Sequence, residues 1–273
     1  MQNDPQPVLG FDPVTGQPLS APPATETPNP KKLLAPIWHT VLIVVIMLGN
    51  SAFTAHFSAK VMGGSHAVSG AEKYATYIGS IILELFLLAV LWLGLRIHRT
   101  RIRELIGGRW DSPEDFLIDF AIGLGFAVAS YIILAALSFA LGLAKPSGVE
   151  DTKKLASMLA PHSWGALLVF ILLSITAGFV EELIFRGYLQ QQIANLSGRM
   201  LFGVIGSALV FGGGHGYEGV RRMVLIFIFG MMFSALTLWR KNLRSAMIGH
   251  AIFDSAQGVL LFFVTRSGLL RMH

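Results

Sequence analysis

Two adjacent carboxylates, Glu181 and Glu182, lie inside the apolar stretch 164–190 and are the most informative residues of the chain. A charge at bilayer depth costs at least about 2.5 kcal/mol, so ionisable residues in membrane segments are rare and usually functional. A carboxylate held away from bulk water can take a proton from a water molecule and make that water a nucleophile. The pair therefore predicts hydrolytic chemistry inside a membrane.

Three pairs of residues in apolar stretches have helical spacing. Residues four positions apart lie on the same face of a helix. With a rise of about 1.5 Å per residue, the pairs can lie at compatible depths in the bilayer. We therefore expect three helices to converge on one cavity that holds carboxylates, imidazoles and a guanidinium. The pairs are Glu182–Arg186, Phe211–His215 and His250–Asp254.

Each of these groups also has a purely structural interpretation. A Glu–Arg pair at this spacing can be a structural ion pair, and an intramembrane histidine can hydrogen-bond a neighbouring helix. Glu84 and Asp119 have no histidine at motif spacing, and we interpret them as packing or interfacial residues. The three pairs together favour a functional site, because stability alone does not require titratable groups to cluster in a dry cavity.

The composition is typical of a membrane protein. Of the 273 residues, 53% are hydrophobic and 14% are charged, whereas a soluble domain carries about 25% charged residues. The absence of cysteine excludes disulfides, cysteine-based zinc sites and a thiol nucleophile. The net charge of +5 is expected to set topology and to contact anionic lipid. No nucleic-acid motif is present, so nucleic acid is not predicted as a partner.

The hydropathy pattern predicts an all-α, polytopic membrane helix bundle. A spanning helix needs about 20 apolar residues, and seven windows approach this length, or eight if the third is split. All five tryptophans lie at or near window ends, as expected for an aromatic belt. The windows are 36–56, 77–95, 116–143, 164–190, 200–217, 221–239 and 245–265.

Four regions follow from this pattern. Residues 1–35 contain eight of the twelve prolines and predict a disordered tail. Residues 36–150 hold N-terminal transmembrane helices, residues 151–265 hold the membrane core that carries the three pairs and is the candidate catalytic region, and residues 266–273 form a C-terminal tail. The loop between the second and third windows contains five arginines and is expected to be cytoplasmic. Seven spans then place the C-terminus on the opposite side of the membrane.

The motifs EELIFRG at 181–187, FGGGH at 211–215 and HAIFD at 250–254 resemble those of the CPBP intramembrane proteases. This family includes type II CAAX prenyl endopeptidases and bacteriocin-processing and immunity-associated bacterial proteins. Its pattern is EExxxR, FxxxH and HxxxN or HxxxD, in that order on successive helices, and the resemblance covers about 150–265. A glycine triplet, Gly212–Gly214, departs from the usual pattern. It could loosen the helix before the histidine or admit a peptide backbone.

The resemblance implies a glutamate-activated water that attacks a peptide bond. Glu181 would be the general base, and His215 would bind or polarise the same water. Glu182 and Arg186 would form a supporting pair. His250 and Asp254 would complete the site, by metal ligation or by stabilising the oxyanion.

The resemblance leaves the cofactor and the substrate open. Zn²⁺ is possible, with Glu181, His215 and His250 as ligands and an open position for water, but a metal-free hydrolase is the alternative and no HExxH motif is present. The substrate would be a peptide or membrane protein, with a prenylated CAAX protein as one option. We expect a multi-pass protein of a bacterial plasma membrane. The oligomeric state is not predicted.

Two other functions compete with the protease. A non-catalytic immunity or scaffold protein could keep the motifs as structural elements. A proton-coupled transporter could use glutamate, histidine and aspartate as a relay, but it should show inverted repeats with broken helices. The sequence contains no such paired broken segments.

Overall fold

The computed structural model describes most of the chain between Leu33 and Ser267. The two predicted tails, 1–35 and 266–273, lie almost entirely outside this part. Among the described residues every regular element is a helix. The described residues are 33–62, 68–143, 145, 149, 153 and 156–267.

The helices follow the predicted windows closely. They are α1 (Ile37–Met62), α2 (Gly70–Ile97), α3 (Ile102–Ile106), α4 (Pro113–Ala140), α5 (Trp164–Glu182), a π-helix (Leu183–Leu189), α6 (Gln190–Ser197), α7 (Met200–Gly214), a 3-10 turn (Gly216–Glu218), α8 (Val220–Arg240) and α9 (Arg244–Arg266).

Six helical segments of the described chain are long and apolar enough to cross a membrane. One of them joins α5, the π-helix and α6 into a single span, Trp164–Ser197. The seventh window is α7, whose 15 residues extend about 22 Å, less than the roughly 30 Å hydrocarbon core. The third window forms one unbroken helix, so an eighth span is excluded there. The prediction of an all-α polytopic bundle is confirmed.

Serine caps fix where the long helices begin. The Ser69 and Glu72 side chains form a reciprocal capping box at α2, and Ser112 caps α4 just before Pro113. The Ser163 hydroxyl accepts a hydrogen bond from the Ala166 amide at the start of α5. Such caps satisfy amides that have no partner within the helix. Because Ser163 fixes where α5 begins, it also fixes the depth of Glu181 and Glu182, which lie about 26 Å along the helix from its start.

Glycines let α9 pack closely against two neighbouring helices. A Cβ on Gly178 of α5 would lie 2.7 Å from the Ala251 amide nitrogen of α9. A Cβ on Gly123 of α4 would lie 2.8 Å from the Ser245 carbonyl oxygen of α9. Close backbone approach at small residues is the usual way in which membrane helices associate. These contacts fix the position of α9, which carries the third motif.

The second motif lies on α7, which packs antiparallel between α6 and α8. The Ser207 hydroxyl of α7 donates a 2.7 Å hydrogen bond to the Phe185 carbonyl of the π-helix. On the other side, a Cβ on Gly212 would lie 2.9 Å from the Met223 carbonyl oxygen of α8. The C-terminal end of α7 is therefore held firmly beside the span that carries the first motif.

Asp119 forms a buried polar cluster at one end of the bundle, outside the three motifs. Its side chain has no exposed surface, and it lies 3.0 Å from an Arg240 nitrogen and 2.8 Å from Arg244 Nε. Ser245 Oγ and Trp110 Nε1 also donate to the same carboxylate. The cluster joins α4 to α8 and α9, so Asp119 has a packing role, as interpreted from the sequence.

Candidate active site

Glu182 joins two helices through one oxygen atom. Its Oε1 accepts a 2.9 Å hydrogen bond from an Arg186 guanidinium nitrogen and a second, also 2.9 Å, from His250 Nδ1. All three side chains are almost completely buried. Arg186 also donates to the Gly230 carbonyl oxygen of α8 at 3.0 Å. The first and third motifs are therefore joined directly, and α8 is held to them.

The helix widens into a π-helix directly after Glu182. The π-helical segment, Leu183–Leu189, contains Arg186, and all seven of its residues are buried. Glu182 and Arg186 form their ion pair across the junction between the two helix types. Short π-helical segments are rare and occur often at functional sites.

Aromatic rings enclose the buried ion pair. The Arg186 guanidinium lies 4.5 Å from the Phe211 ring centroid and 4.8 Å from that of Phe233. The imidazole of His250 stacks on Phe233, with centroids 4.9 Å apart and an interplanar angle of 29°. Cations are attracted to the faces of such rings, more strongly where water is excluded. The aromatic wall fixes both basic groups and keeps water from this side of the site.

Glu181 lies on the more accessible side of the same site. Its Oε2 is 3.6 Å from His250 Nε2, and Asp254 Oδ2 is 3.5 Å from the same nitrogen. The Glu181 and Asp254 side chains are 14% and 30% exposed, whereas Glu182 is fully buried. Contacts of 3.5 Å or more are too long for strong hydrogen bonds. His250 Nε2 and the two carboxylates around it are thus available to other groups.

The hydrogen bond that His215 makes fixes its protonation pattern. Its Nδ1 lies 2.9 Å from the Phe211 carbonyl oxygen, which can only accept a hydrogen bond. Nδ1 therefore carries the proton, and in the neutral ring Nε2 keeps its lone pair. The Phe211 ring lies 5.2 Å from the His215 ring and 6.1 Å from the His250 ring, measured between centroids. One aromatic side chain thus lies against both imidazoles.

Ser51 holds the loop that follows His215. Its hydroxyl donates a 2.9 Å hydrogen bond to the Gly213 carbonyl oxygen and accepts another, also 2.9 Å, from the Gly216 amide. These residues lie on both sides of His215, and Ser51 itself is buried in α1. Helix α1 therefore positions the imidazole, although its residues belong to none of the three motifs.

The glycine triplet does not loosen α7, which runs unbroken through Gly214. Gly212 and Gly213 are closely packed, since a Cβ on either would lie 2.9 Å from its nearest neighbour. Gly214, next to His215, has no atom within 4 Å of its ideal Cβ position. The expectation of a loosened helix is therefore wrong, while the approach of a peptide backbone, for which Gly214 has open space, stays a prediction.

Sequence reasoning missed Glu84 on α2. The structure buries one of its carboxyl oxygens and brings the side chain near Glu181 and His250. The interpretation of Glu84 as a packing or interfacial residue therefore does not hold. A usable signal was present, because Glu84 is an ionisable residue in the middle of an apolar window. It was set aside because it has no partner at motif spacing.

Tyr217 and Glu218, on the turn after His215, lie at the edge of the site. The Tyr217 ring centroid is 6.0 Å from that of His215. Burial raises the pKa of Glu218. Burial, with the Glu218 carboxylate next, raises the pKa of Tyr217 well above its usual range. The phenol therefore keeps its proton and can donate a hydrogen bond.

The predicted zinc site stays a prediction. Glu181, His215 and His250 are chemically suitable ligands. In the part of the chain that the structure describes, however, no group of three or more histidine, aspartate or glutamate side chains is arranged to hold a metal ion. The Nδ1 of His250 is bound to Glu182, whereas its Nε2 has only the longer contacts with Glu181 and Asp254. No reaction step is therefore assigned to a metal.

Comparison with protein families gives an independent result for the same segment. Residues 163–256 match the family described as Rce1-like, type II CAAX prenyl endopeptidase. The matched residues include all three motifs. These residues form an Rce1-like domain. The resemblance to the CPBP proteases that the motifs indicated is therefore confirmed. Comparison with curated proteins gave no match, and neither did comparison with solved structures.

The Rce1-like domain covers about a third of the chain. Its family is one of membrane endopeptidases of the CAAX type, which act on peptide substrates in the bilayer. The six candidate spans agree with this location. The chain is thus an integral, multi-pass membrane protein with an endopeptidase domain.

Proposed function

We propose that the chain is an intramembrane endopeptidase in which Glu181 is the general base. The observation that supports this role is the difference between the two adjacent glutamates. Glu182 is fully buried, with Arg186 and His250 bound to one of its oxygens, whereas Glu181 is 14% exposed. A general base must reach the water that it activates, and Glu181 is the more accessible of the two.

The reaction begins with a water molecule placed between Glu181 and His215 Nε2. The carboxylate takes one proton from the water, and the oxygen attacks the carbonyl carbon of the scissile peptide bond. His215 accepts a hydrogen bond from the same water through its Nε2 lone pair and orients it. The product of this step is a tetrahedral intermediate with a negatively charged oxygen.

The second step returns the proton. The carbon–nitrogen bond breaks, and Glu181 transfers its proton to the leaving amine nitrogen, so that one carboxylic acid and one amine are released. We assign stabilisation of the oxyanion to His250 Nε2, which donates to it when protonated. Donors fixed in a water-excluded site are effective because they need no reorganisation during the reaction.

Glu182, Arg186 and Asp254 support these groups. Glu182 accepts the Nδ1–H of His250 and so fixes the ring, while Arg186 keeps Glu182 ionised and oriented. Asp254 lies 3.5 Å from His250 Nε2 and is the most exposed of the three. It faces the side from which a substrate would enter.

The test is cleavage of membrane peptides, with and without prenylated CAAX ends, by the purified protein in vesicles. We expect wild-type cleavage and a loss of about 10²–10⁴ in rate for Glu181→Gln, with folding unchanged because the two side chains are nearly isosteric. Glu114→Gln removes an exposed carboxylate and is the matched control. If Glu181→Gln cleaves normally, Glu181 is not the general base. If wild type cleaves none of the peptides, a scaffold or transporter becomes the better explanation.

A chelator arm of the same assay tests the proposed metal-free chemistry. We expect cleavage to persist after treatment with a strong zinc chelator, since every step above uses residues of the chain. Complete loss of activity on chelation, restored by added Zn²⁺, would show that the site rearranges to bind a metal. The roles of His215 and His250 would then have to be reassigned.

A further inference from the structure

Tyr188 anchors the π-helix to α1. The tyrosine lies two residues after Arg186 in the π-helical segment, and its side chain has no exposed surface. Its hydroxyl oxygen lies 2.8 Å from Thr40 Oγ1 and 3.1 Å from His39 Nδ1, both in the first turn of α1. The tyrosine and its two partners belong to none of the three motifs. A buried hydroxyl with two partners on another helix leaves the π-helix little freedom to turn at this point.

The direction of each hydrogen bond around Tyr188 follows from its partners. The Val90 carbonyl oxygen of α2 can only accept, so His39 Nε2, which lies 2.8 Å from it, carries the ring proton. In the neutral ring Nδ1 then accepts, and the Tyr188 hydroxyl is its donor. At the other end the Gln192 amide donates to Thr40 Oγ1 at 3.2 Å, so the Thr40 hydroxyl donates to the Tyr188 oxygen. The hydrogen bonds form one continuous chain.

Both ends of this chain are fixed. Gln192, on α6, has no exposed surface. Its Oε1 accepts from the Leu34 amide at 2.8 Å, and its Nε2 donates to the Ala35 carbonyl oxygen at 2.7 Å. At the other end the His39 ring packs directly on Gly94 of α2, where an added Cβ would overlap the ring. The chain therefore joins α1, the residues before it and α2 to the span that carries the first motif.

The π-helix is held on three sides, and Tyr188 provides one of them. Ser207 of α7 donates to a carbonyl oxygen of the segment, and Arg186 donates to a carbonyl oxygen of α8. A π-helix closes its hydrogen bonds over five residues instead of four. Its relaxation to an α-helix would therefore turn one end against the other by about 100°. Such a turn would break either the fit of Tyr188 to α1 or that of Arg186 to Glu182 and α8.

We propose that Tyr188 is a positioning residue of the endopeptidase site, whose hydroxyl, bound to α1, keeps the π-helix in register and so holds Arg186 against Glu182. Glu182 in turn binds His250, to which stabilisation of the oxyanion is assigned. A displaced π-helix thus reaches the reacting atoms through one carboxylate. The effect on catalysis rests on the proposed function, whereas the anchor itself can be measured without a substrate.

The first test measures cleavage kinetics in the vesicle assay. Tyr188→Phe removes only the anchoring hydroxyl. We expect kcat to fall by about 5- to 20-fold with KM little changed, since a displacement of about 1 Å can cost about 10²-fold in rate. Tyr77→Phe is the matched control, because it removes another buried tyrosine hydroxyl, which donates to the Leu159 carbonyl oxygen at 2.7 Å and makes no contact with the chain around Tyr188. We expect its kcat to equal that of wild type.

Thr40 provides the rescue that identifies the hydroxyl as the cause. Thr40→Val keeps the shape of the side chain and loses the hydroxyl, and we expect it to be as slow as Tyr188→Phe. Thr40→Ser keeps the hydroxyl, and we expect its kcat to stay near that of wild type. The double variant Tyr188→Phe/Thr40→Val should be no slower than either single variant, because residues of one hydrogen-bond network do not act additively. Thermal unfolding of each variant checks the fold.

The second test measures backbone hydrogen exchange of residues 183–189 and needs no activity. Local opening of a segment exposes its amides to exchange. We expect this segment to exchange about tenfold faster in Tyr188→Phe and in Thr40→Val than in wild type, since both lose the anchoring hydrogen bond. Tyr77→Phe should match wild type in the same segment, because it leaves the π-helix and α1 unchanged.

The two tests separate the anchor from the proposed function. If wild type cleaves no substrate while Tyr188→Phe speeds exchange of residues 183–189, the endopeptidase proposal fails and the anchor stands. If wild type cleaves and Tyr188→Phe slows no more than Tyr77→Phe, the protease stands and the positioning role is wrong. Unchanged exchange of residues 183–189 in Tyr188→Phe would overturn the anchor itself. A higher KM at unchanged kcat would also contradict a positioning role.

Discussion

Glu181 and Glu182 are adjacent and chemically identical, and only their surroundings give them different chemistry. Helical geometry turns neighbouring side chains about 100° apart, so one faces the accessible side and the other faces the Arg186–His250 pair. The sequence shows that such a pair exists in an apolar segment. It does not show which member is accessible, because that depends on the packing of α8 and α9 against the π-helix.

The first prediction concerns Glu182, the buried member. Glu182→Gln removes the negative charge that both Arg186 and His250 bind. Removing one partner of a buried ion pair typically costs about 3–5 kcal/mol, because the remaining charge is uncompensated. We therefore expect a lower unfolding temperature and a lower yield of membrane-inserted protein, measured by thermal unfolding in detergent.

Glu181→Gln is the matched control for that measurement, since it changes the same residue type one position away. We expect its unfolding temperature to stay close to that of wild type. We assign the role of general base to Glu181 and a supporting role to Glu182. The opposite result, a stable but inactive Glu182→Gln and an unstable but active Glu181→Gln, would contradict this assignment.

At the scale of helices, much of the fold was predictable and the local geometry was not. Windows of apolar residues identified the six segments long enough to cross a membrane and the shorter apolar helix α7, since length and hydropathy are properties of the sequence itself. The π-helix at Leu183–Leu189 has no signature in that pattern. Glu84 was also missed, because its position near Glu181 and His250 depends on how α2 packs on α5. The motifs predicted the members of the site, and helix packing determined their partners.

The second prediction tests the attachment of α1 to the second motif. Ser51→Ala removes the hydroxyl that holds the backbone on both sides of His215. A buried donor or acceptor left without its partner typically costs about 1–3 kcal/mol, and here this loss falls on the catalytic loop. We expect kcat to fall several-fold while the protein remains folded, measured by cleavage kinetics together with thermal unfolding.

The control for Ser51→Ala is Ser80→Ala, which changes a serine of α2 that has no side-chain hydrogen bond among the described residues. We expect this variant to show wild-type kinetics. An unchanged kcat for Ser51→Ala would show that α1 does not position His215. A fall in the yield of folded protein without a change in kcat would assign Ser51 to stability alone.

The third prediction concerns the crossing of α5 and α9. A Cβ on Gly178 would lie 2.7 Å from the Ala251 amide nitrogen and 2.9 Å from the Met247 carbonyl oxygen. Backbone atoms cannot move aside as a flexible side chain can, so Gly178→Val should separate the helices that carry Glu181 and His250. We expect loss of activity and a markedly lower unfolding temperature.

Gly79→Val provides the comparison, because no atom lies within 4 Å of the Cβ position at Gly79. It adds the same volume to a membrane helix in open space. We expect it to be stable and active. Equal stability of the two variants would mean that the close packing of α5 on α9 is not required for the fold.

At the scale of the whole molecule, orientation decides from which side substrates reach the site. The segment between α2 and α4 contains four arginines, and basic loops resist translocation. Helix α7 is short, but it runs antiparallel to α6, which precedes it, and to α8, which follows it. It therefore reverses the chain direction as a full span would. If α7 crosses the membrane, the number of crossings is odd, and we expect the loop after α2 and the end of α9 to lie on opposite sides.

The last prediction uses the absence of cysteine from the chain, which makes any introduced cysteine the only thiol. Glu104→Cys on α3 and Ser267→Cys after α9 are both at exposed positions. In inside-out membrane vesicles a membrane-impermeant maleimide should label Glu104→Cys and not Ser267→Cys, and in intact cells the pattern should reverse. Labelling of both from the same side would mean an even number of crossings. The short helix α7 would then be the one that does not cross the bilayer.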